Sequence, residues 1–374
     1  MKLLAVFGTR PEAIKMAPVI KAFSRVAHVD IRICVTAQHR KMLDQVLSLY
    51  NLNPHYDLNI MKMGQSLSGI TQRAMRGLEK VFTQFKPDWV LVQGDTNTTF
   101  AASLAAFYNK ISVAHIEAGL RTHQMYSPWP EEINRQLTTR IAKLHFAPTM
   151  QAQDNLLREG VKASDIVVTG NTVIDALLET VNYITTNKHI ESQLAKEFSF
   201  LDFNKKIILV TSHRRENFGE GLQQLCKAIL FLAKRQDIQI IYPVHLNPNI
   251  QQPVNELLSN QKNIHLLKPL DYLPFVYLMM KSYLILTDSG GIQEEAPTLG
   301  KPVLVAREKT ERPEGIAVGT AKLVGSRAET IIENIEILLN QKHLYEIMST
   351  ASNPYGDGKA SQRIVEKLQD EYKV

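Results

Sequence analysis

The sequence predicts an α/β protein built from two doubly wound domains, and three observations predict it. Short β-branched runs alternate with stretches of helical spacing. Some of the runs, such as Trp89-Val90-Leu91-Val92, are apolar throughout, as strands buried on both faces are. The alternation lapses after residue 170 and then restarts. Strand, helix and strand in repetition mean right-handed crossovers and a mainly parallel sheet with helices on both faces.

In chain order, the first half offers strands at 3–8, 31–37, 89–94, 113–118, 144–148 and 166–170. Helical spacing fills 13–24, 41–50, 67–85, 98–108 and 131–142 between them. A long helical segment at 173–184 is followed by a charged stretch, 185–206, expected to be weakly structured. New strands are predicted at 207–211, 238–244, 264–267, 283–287 and 302–306. The expected division is 1–170 and 171–358, with a hinge at Gly170-Asn171-Thr172. A turn-rich loop, Asn353-Pro354-Tyr355-Gly356-Asp357-Gly358, leads to a final helix at about 360–371. The segment 359–374 is expected to cross back and complete the first domain.

Of 374 residues, 44% are apolar and 21% charged, the balance of a globular protein. No run approaches the ~18 apolar residues of a membrane span. The opening apolar run leads directly into Gly8-Thr9-Arg10-Pro11-Glu12 without a small-residue cleavage site, so no signal peptide is expected. Cys34 and Cys226 fall in apolar-periodic segments and cannot form a disulfide framework or a zinc site by themselves. A cytoplasmic protein is the expectation. Residues 1–170 carry 20 Lys and Arg against 13 Asp and Glu, the remainder 23 against 24. The basic excess forms no run of five like charges and has no interleaved aromatics. An anionic small molecule fits it better than nucleic acid or a membrane surface.

Open parallel sheets bind ligands outside the carboxyl ends of their strands. The first strand exit, Gly8-Thr9-Arg10-Pro11, can cap a helix with Thr9 and start it with Pro11, and it brings Arg10 and Lys15 near free backbone N–H groups, which favours an anion. Later exits carry acids: Asp95 after 90–94, Glu117 delivered by 113–117 just before Ala118-Gly119-Leu120-Arg121, and Glu131 and Glu132 at a helix start. His115 and Glu117 should alternate onto one strand face. A single capping acid is ordinary, whereas three such positions in one half resemble an acid/base set.

In the second half, a strand runs into Ser212-His213-Arg214-Arg215-Glu216-Asn217-Phe218-Gly219, suited to clamp a leaving phosphate. Another runs into Asp288-Ser289-Gly290-Gly291-Ile292-Gln293-Glu294-Glu295, where bare N–H groups can surround phosphate oxygens. Glu295 lies roughly 9 Å along a helix from Ser289, the reach from phosphates to ribose hydroxyls. The three-glycine dinucleotide fingerprint, the phosphate-loop lysine pattern and His-Glu-x-x-His do not occur.

Together these segments resemble the non-hydrolysing UDP-N-acetylglucosamine 2-epimerases. The resemblance is carried by residues 7–18, Thr36-Ala37-Gln38-His39-Arg40, Gly94-Asp95-Thr96, 115–122, Pro130-Glu131-Glu132-Ile133-Asn134-Arg135 and 170–175. It continues through 213–217, 288–297, 300–304, Thr310-Glu311-Arg312-Pro313-Glu314 and 353–358, and so spans the chain. It implies two Rossmann-like domains facing across a cleft, the B-type glycosyltransferase fold, with UDP held mostly by the second. It implies reversible conversion of UDP-N-acetylglucosamine to UDP-N-acetylmannosamine, for bacterial surface polysaccharide, by a homodimer without cofactor or metal. Family binding positions fall on Arg10, Lys15, Asp95, Glu117, His213, Phe275, Ser289, Gly290, Gly291, Glu295 and Arg312, with Phe275 packing near the uracil. Catalysis is expected of Asp95, Glu117, Glu131 and His213. An allosteric substrate site would fall on Gln38, Gln65, Glu131, Arg214 and His245. Gln93 stands where His is frequent and Ser212 where Gly is, and neither is expected to alter the chemistry. Inversion at C2 is expected to proceed through elimination of UDP to a 2-acetamidoglucal. The alternative is a retaining glycosyltransferase of the same fold, which acceptor-dependent turnover would support.

Overall fold

The computed structural model describes residues 1–37, 40–62, 64–214 and 219–373. They divide into two compact units, Met1–Leu178 with the chain from Tyr355 onward, and Glu179–Pro354. The division falls inside a helix, eight residues beyond the glycine at which a hinge is expected.

The first unit runs β1 (Lys2–Phe7), α1 (Arg10–Ser24), β2 (Asp30–Val35), α2 (Arg40–Leu49), β3 (Tyr56–Asp57), α3 (Leu67–Phe85) and β4 (Trp89–Gln93). It continues with α4 (Asn97–Tyr108), β5 (Ser112–Ile116), α5 (Glu131–Ile141), β6 (Leu144–Ala147), α6 (Met150–Arg158), β7 (Ile166–Val168) and α7 (Thr172–Thr186). All strand pairs are parallel, in the order β3-β2-β1-β4-β5-β6-β7. Strand order reverses between β1 and β4, and at such a switch point the loops after neighbouring strands leave toward opposite faces and open a crevice. Leu78, Val81, Phe82 and Phe85 of α3 and Ala102, Ala105 and Ala106 of α4 cover Leu4, Val6, Val90 and Val92 of the sheet.

The closing helix, Ala360–Lys373, packs on α1 in this unit. Its start is held by Asp175 of α7, whose carboxylate accepts from the N–H groups of Ala360 at 3.2 Å and Ser361 at 2.8 Å. Arg363 donates to the Thr169 carbonyl at 2.8 Å, and the N–H of Asn171 donates to that of Tyr355 at 2.7 Å. Gly170 has φ +87°, and a Cβ there would lie 3.1 Å from the Cα of Gly356, so only glycine allows this crossing of the two backbones.

The second unit runs α8 (Lys188–Glu197), β8 (Lys206–Thr211), α9 (Glu220–Leu232), β9 (Ile238–Pro243), α10 (Pro248–Leu258), β10 (Ile264–Leu267) and α11 (Tyr272–Lys281). Then come β11 (Leu284–Thr287), α12 (Gly290–Glu295), β12 (Val303–Val305), α13 (Pro313–Ala317), β13 (Ala321–Leu323), α14 (Ala328–Asn340) and α15 (Lys342–Thr350). Its sheet is also parallel, ordered β10-β9-β8-β11-β12-β13, with the switch point between β8 and β11. Two doubly wound parallel sheets are thus the architecture that the alternation predicts.

Residues 185–206 are not weakly structured, because α8 occupies their middle. The Asn187 side chain caps it by accepting from the N–H groups of His189 and Ile190, at 3.2 and 3.3 Å. Leu194 and Phe198, one turn apart, are buried, and Phe198 stacks on Tyr277 at 5.9 Å. The remaining faces are solvated, so charge outweighs the apolar signal in the sequence. Strands β3 and β13 are also absent from the sequence reading, being two and three residues long at sheet edges.

Replacing Asp175 by Ala removes two hydrogen bonds from the start of the closing helix. A lost N-terminal cap of this kind costs about 1 kcal/mol. The expected result is a lower denaturation midpoint for Asp175→Ala, with faster amide exchange concentrated in 360–373, and a smaller effect for Asp175→Asn.

Candidate active site

In the first unit, the exits of β1 and β4 are tied together by a buried acid. Glu12 accepts from the N–H groups of Gly8 and Thr9 at 3.0 and 2.8 Å, and from the hydroxyls of Thr96 and Thr99 at 2.6 and 3.2 Å. Thr9 takes the N-cap position of α1, and Arg10 opens the helix half-buried. Lys15 of the same helix brings its Nζ to 2.6 and 2.7 Å from the two carboxylate oxygens of Glu117. The Glu117 side chain is 5% exposed. It also accepts from Asn171 Nδ2 at 3.0 Å and from Gln93 Nε2.

One sequence expectation changes here. Strand β5 ends at Ile116 and Glu117 takes φ +64°, so a left-handed turn, and not strand alternation from His115, aims this carboxylate. Gln93 lies buried at the end of β4 and donates to Glu117 itself.

Asp95 follows β4 through Gly94, which has φ +70°. Burial drives its carboxyl up, Arg135 (Nε 3.7 Å from Oδ2) draws it down, and the charges of Glu117 and Glu131 push it up again, to about 6. The two neighbouring glutamates at the start of α5 divide their tasks. Glu132 is wholly buried and accepts from the N–H groups of Thr122 and His123 at 3.0 and 3.1 Å, fixing the preceding loop. Glu131 stays half-buried within the electrostatic reach of Asp95. Lys15, Asp95, Glu117 and Glu131 therefore come together, and a cation-held carboxylate sits beside an acid that titrates near pH 6.

The second unit has its own cluster at its own switch point. Asp288, directly after β11, accepts from Ser212 Oγ at 3.0 Å and from the N–H groups of His213 and Arg214 at 3.0 Å, all after β8. His213 Nδ1 lies 3.1 Å from Asp288 Oδ1. Burial alone raises the Asp288 carboxyl, but the His213 side chain and these N–H groups outweigh it and bring it to about 2. Beyond Ser289, the Cζ of Arg312 and Nη2 of Arg214 lie 3.8 and 3.9 Å from where a Gly290 Cβ would be. Arg312 is ion-paired with buried Glu294, and Arg214 Nη2 lies 3.7 Å from Glu311. Glu295 closes α12. Its Oε1 folds back to 3.8 Å from a Gly291 Cβ position, and its Oε2 accepts from the Tyr272 hydroxyl at 2.7 Å. Phe275 stands half-buried one turn after Tyr272 in α11.

Of the expected allosteric positions, Gln38 lies outside the described residues. Gln65, before α3, accepts from Arg73 Nη2 at 2.6 Å. The rings of His245 and His213 stack at 6.3 Å. The sequence reading did not assign Gln93, Asn171, Arg135, Tyr272 or Asp288 to the site. Asp288 alone carried a usable signal, an acid at a strand end, the rule that finds Asp95.

A family model described as UDP-N-acetylglucosamine 2-epimerase matches residues 21–369. The UDP-N-acetylglucosamine 2-epimerase of Salmonella typhimurium is 55% identical over 375 residues, spanning 100% of both chains. That of Escherichia coli K12 is 56% identical over 371 residues, 99% of each. The crystal structure of UDP-GlcNAc 2-epimerase from Neisseria meningitidis bound to UDP-GlcNAc is similar with a TM-score of 0.93 at 55% identity, covering 99% of this chain and 100% of that one.

The Asp95 environment has a consequence for stability. Its pKa is raised in the fold from 3.8 to about 6, so its contribution is fully present below about pH 4 and is lost as pH rises through 6. Asp95→Asn removes the ionised form at every pH. The variant should melt higher than wild type at pH 7.5, by about 2 °C or more, with the gap closing toward pH 4. An equal offset at both pH values would contradict the raised pKa.

Proposed function

The chain belongs to the UDP-N-acetylglucosamine 2-epimerase family, and we propose that it interconverts UDP-N-acetylglucosamine and UDP-N-acetylmannosamine by eliminating UDP and adding it back. The carrying observation is the contrast between Glu117, held by Lys15, and Asp95, titrating near pH 6. Two neighbouring carboxyl groups in unlike surroundings, one ion-paired and one raised by burial and like charge, are a means of removing a proton on one side and supplying one on the other.

The C2–H bond has no adjacent carbonyl to acidify it. A carboxylate takes the C2 proton, the C–H electron pair becomes the C1=C2 double bond, and the C1–O pair leaves with UDP. The 2-acetamidoglucal then receives a proton at C2 on the opposite face while a phosphate oxygen of UDP re-forms the bond at C1. No net oxidation or reduction occurs. Asp95, Glu117 and Glu131 handle the protons. Arg10 and Lys15 add positive charge beside them. His213, oriented by ionised Asp288, and Arg214 and Arg312 offset the charge that grows on the leaving phosphate. Ser289 offers its hydroxyl and Gly290 and Gly291 their backbone N–H groups to the phosphates, Glu295 takes the ribose, and Phe275 packs by the uracil. The family resemblance supports a cytoplasmic homodimer whose product feeds surface polysaccharide.

The decisive experiment is turnover in D₂O. Deuterium should enter C2 of the product, because the delivering side chain exchanges with water; protium there would exclude elimination with exchange. Glu117→Gln, Asp95→Asn and Glu131→Gln should each slow turnover roughly 10²–10⁴-fold while UDP still binds. Full activity in all three would remove the acid/base assignment.

A ribose contact persists through the reaction, so Glu295→Ala should raise KM for the sugar nucleotide several-fold and leave kcat nearly unchanged. Tyr272→Phe should move KM the same way by less. A fall in kcat alone would put Glu295 at the reacting atoms.

A further inference from the structure

His115 is wholly buried at 0% exposure in β5, paired with Val92 of β4 and His145 of β6. Its Nε2 lies 2.7 Å from the carbonyl oxygen of Gly94. A carbonyl only accepts, so Nε2 carries the proton. Burial pushes the ring's pKa down to about 3, so it remains neutral with Nδ1 bare. Among the described residues Nδ1 has no hydrogen-bond partner. An apolar side chain would satisfy this position in the core, whereas a ring with one orphaned nitrogen is costly there. The imidazole is explained by the bond that it makes.

That bond falls at the turn that presents Asp95. Gly94 donates its N–H to the carbonyl of Ile116 at 2.9 Å, and its own carbonyl takes the His115 proton. Both polar groups of Gly94 are thereby fastened to β5, the strand that leads into Glu117. The next carbonyl, that of Asp95, accepts from Asn134 Nδ2 at 3.0 Å. With φ +70°, the Gly94 peptide has other conformations open to it once the His115 bond is gone.

We propose that His115 is a positioning residue for C2 epimerisation, whose Nε2–H bond to Gly94 fixes Asp95 relative to Glu117. The proposal rests on the reading of Asp95 and Glu117 as the proton-handling pair. It assigns His115 no contact with substrate and no part in UDP binding. Its effect is on kcat, because small misplacements of a reacting group cost up to about 100-fold.

Two amide variants isolate the bond. In His115→Gln the amide nitrogen falls where Nε2 lies and can donate to Gly94. In His115→Asn it falls where Nδ1 lies and cannot. The measurements are kcat and KM for UDP-N-acetylglucosamine, the affinity for UDP, and the melting temperature of each. His115→Gln should retain kcat within about 3-fold, while His115→Asn loses about 10- to 100-fold, with KM and UDP affinity unchanged in both. Equal kcat in the two variants, or misfolding of both, would make His115 a core residue only and overturn the proposal. A rise in KM without loss of kcat in His115→Asn would do the same. Wild-type turnover in D₂O that leaves protium at C2 would instead strike the proton-handling reading, and the Gln–Asn contrast remains separately readable.

Discussion

The Lys15–Glu117 ion pair is the constraint on which the first unit is organised. Both side chains are nearly closed to solvent, 14% and 5% exposed, and a buried pair recovers its desolvation cost only when its remaining hydrogen-bonding capacity is filled. That demand reaches across the sheet. Lys15 comes from the helix after β1, Gln93 from the end of β4, Glu117 from the end of β5 and Asn171 from just beyond β7. The strand order, which places β1, β4 and β5 side by side, brings these partners to the pair. Removing one member of a buried pair typically costs about 3–5 kcal/mol, so fold and site are secured by the same contact.

Two aspartates show how one topological position yields opposite chemistry. Asp95 and Asp288 each follow the strand on the far side of a switch point. Asp288 is surrounded by donors, a hydroxyl, a ring nitrogen and two backbone N–H groups, and its carboxyl falls to about 2. Asp95 has one guanidinium at 3.7 Å, two acidic neighbours and partial burial, and its carboxyl rises to about 6. Hydrogen bonds to the charged form set the first, desolvation and like charge the second. The first is built to stay ionised and orient His213. The second has its carboxyl shifted toward neutrality.

What could be read in the sequence follows from what a linear pattern encodes. Strand exits and helix starts and their acids were legible, because alternation of apolar runs gives these positions, with Asp95 and Glu117 at strand exits and Glu131 at a helix start. Helix α8 was not, since two buried residues among charged neighbours leave a weak periodic signal. Partners at long range were not legible either. Asn171 reads as part of a hinge beside Gly170, yet it donates to Glu117, 54 positions away. Gln93 reads as an ordinary end to an apolar strand. Periodicity reports which side of an element is buried and says nothing of what is met there, so the acids and Lys15 were found while Gln93 and Asn171 were missed.

The backbone of Glu117 adds a final step. A residue with a Cβ in the left-handed region costs of order 1 kcal/mol or more relative to its ordinary conformations, and Glu117 stands there at φ +64°. Continuing β5 by one extended residue would remove that cost. It would also change the direction of the carboxylate, which now meets Lys15, Gln93 and Asn171 from three elements at once. The hydrogen bonds to Glu117 therefore stabilise the strained turn, and the turn in turn allows the hydrogen bonds. Such mutual dependence makes the carboxylate's place insensitive to small movements elsewhere in the unit. Under the proposed reading of Glu117 as a proton-handling group, a carboxylate fixed in this way is what the reaction calls for, because proton transfer depends on the placement of the reacting group.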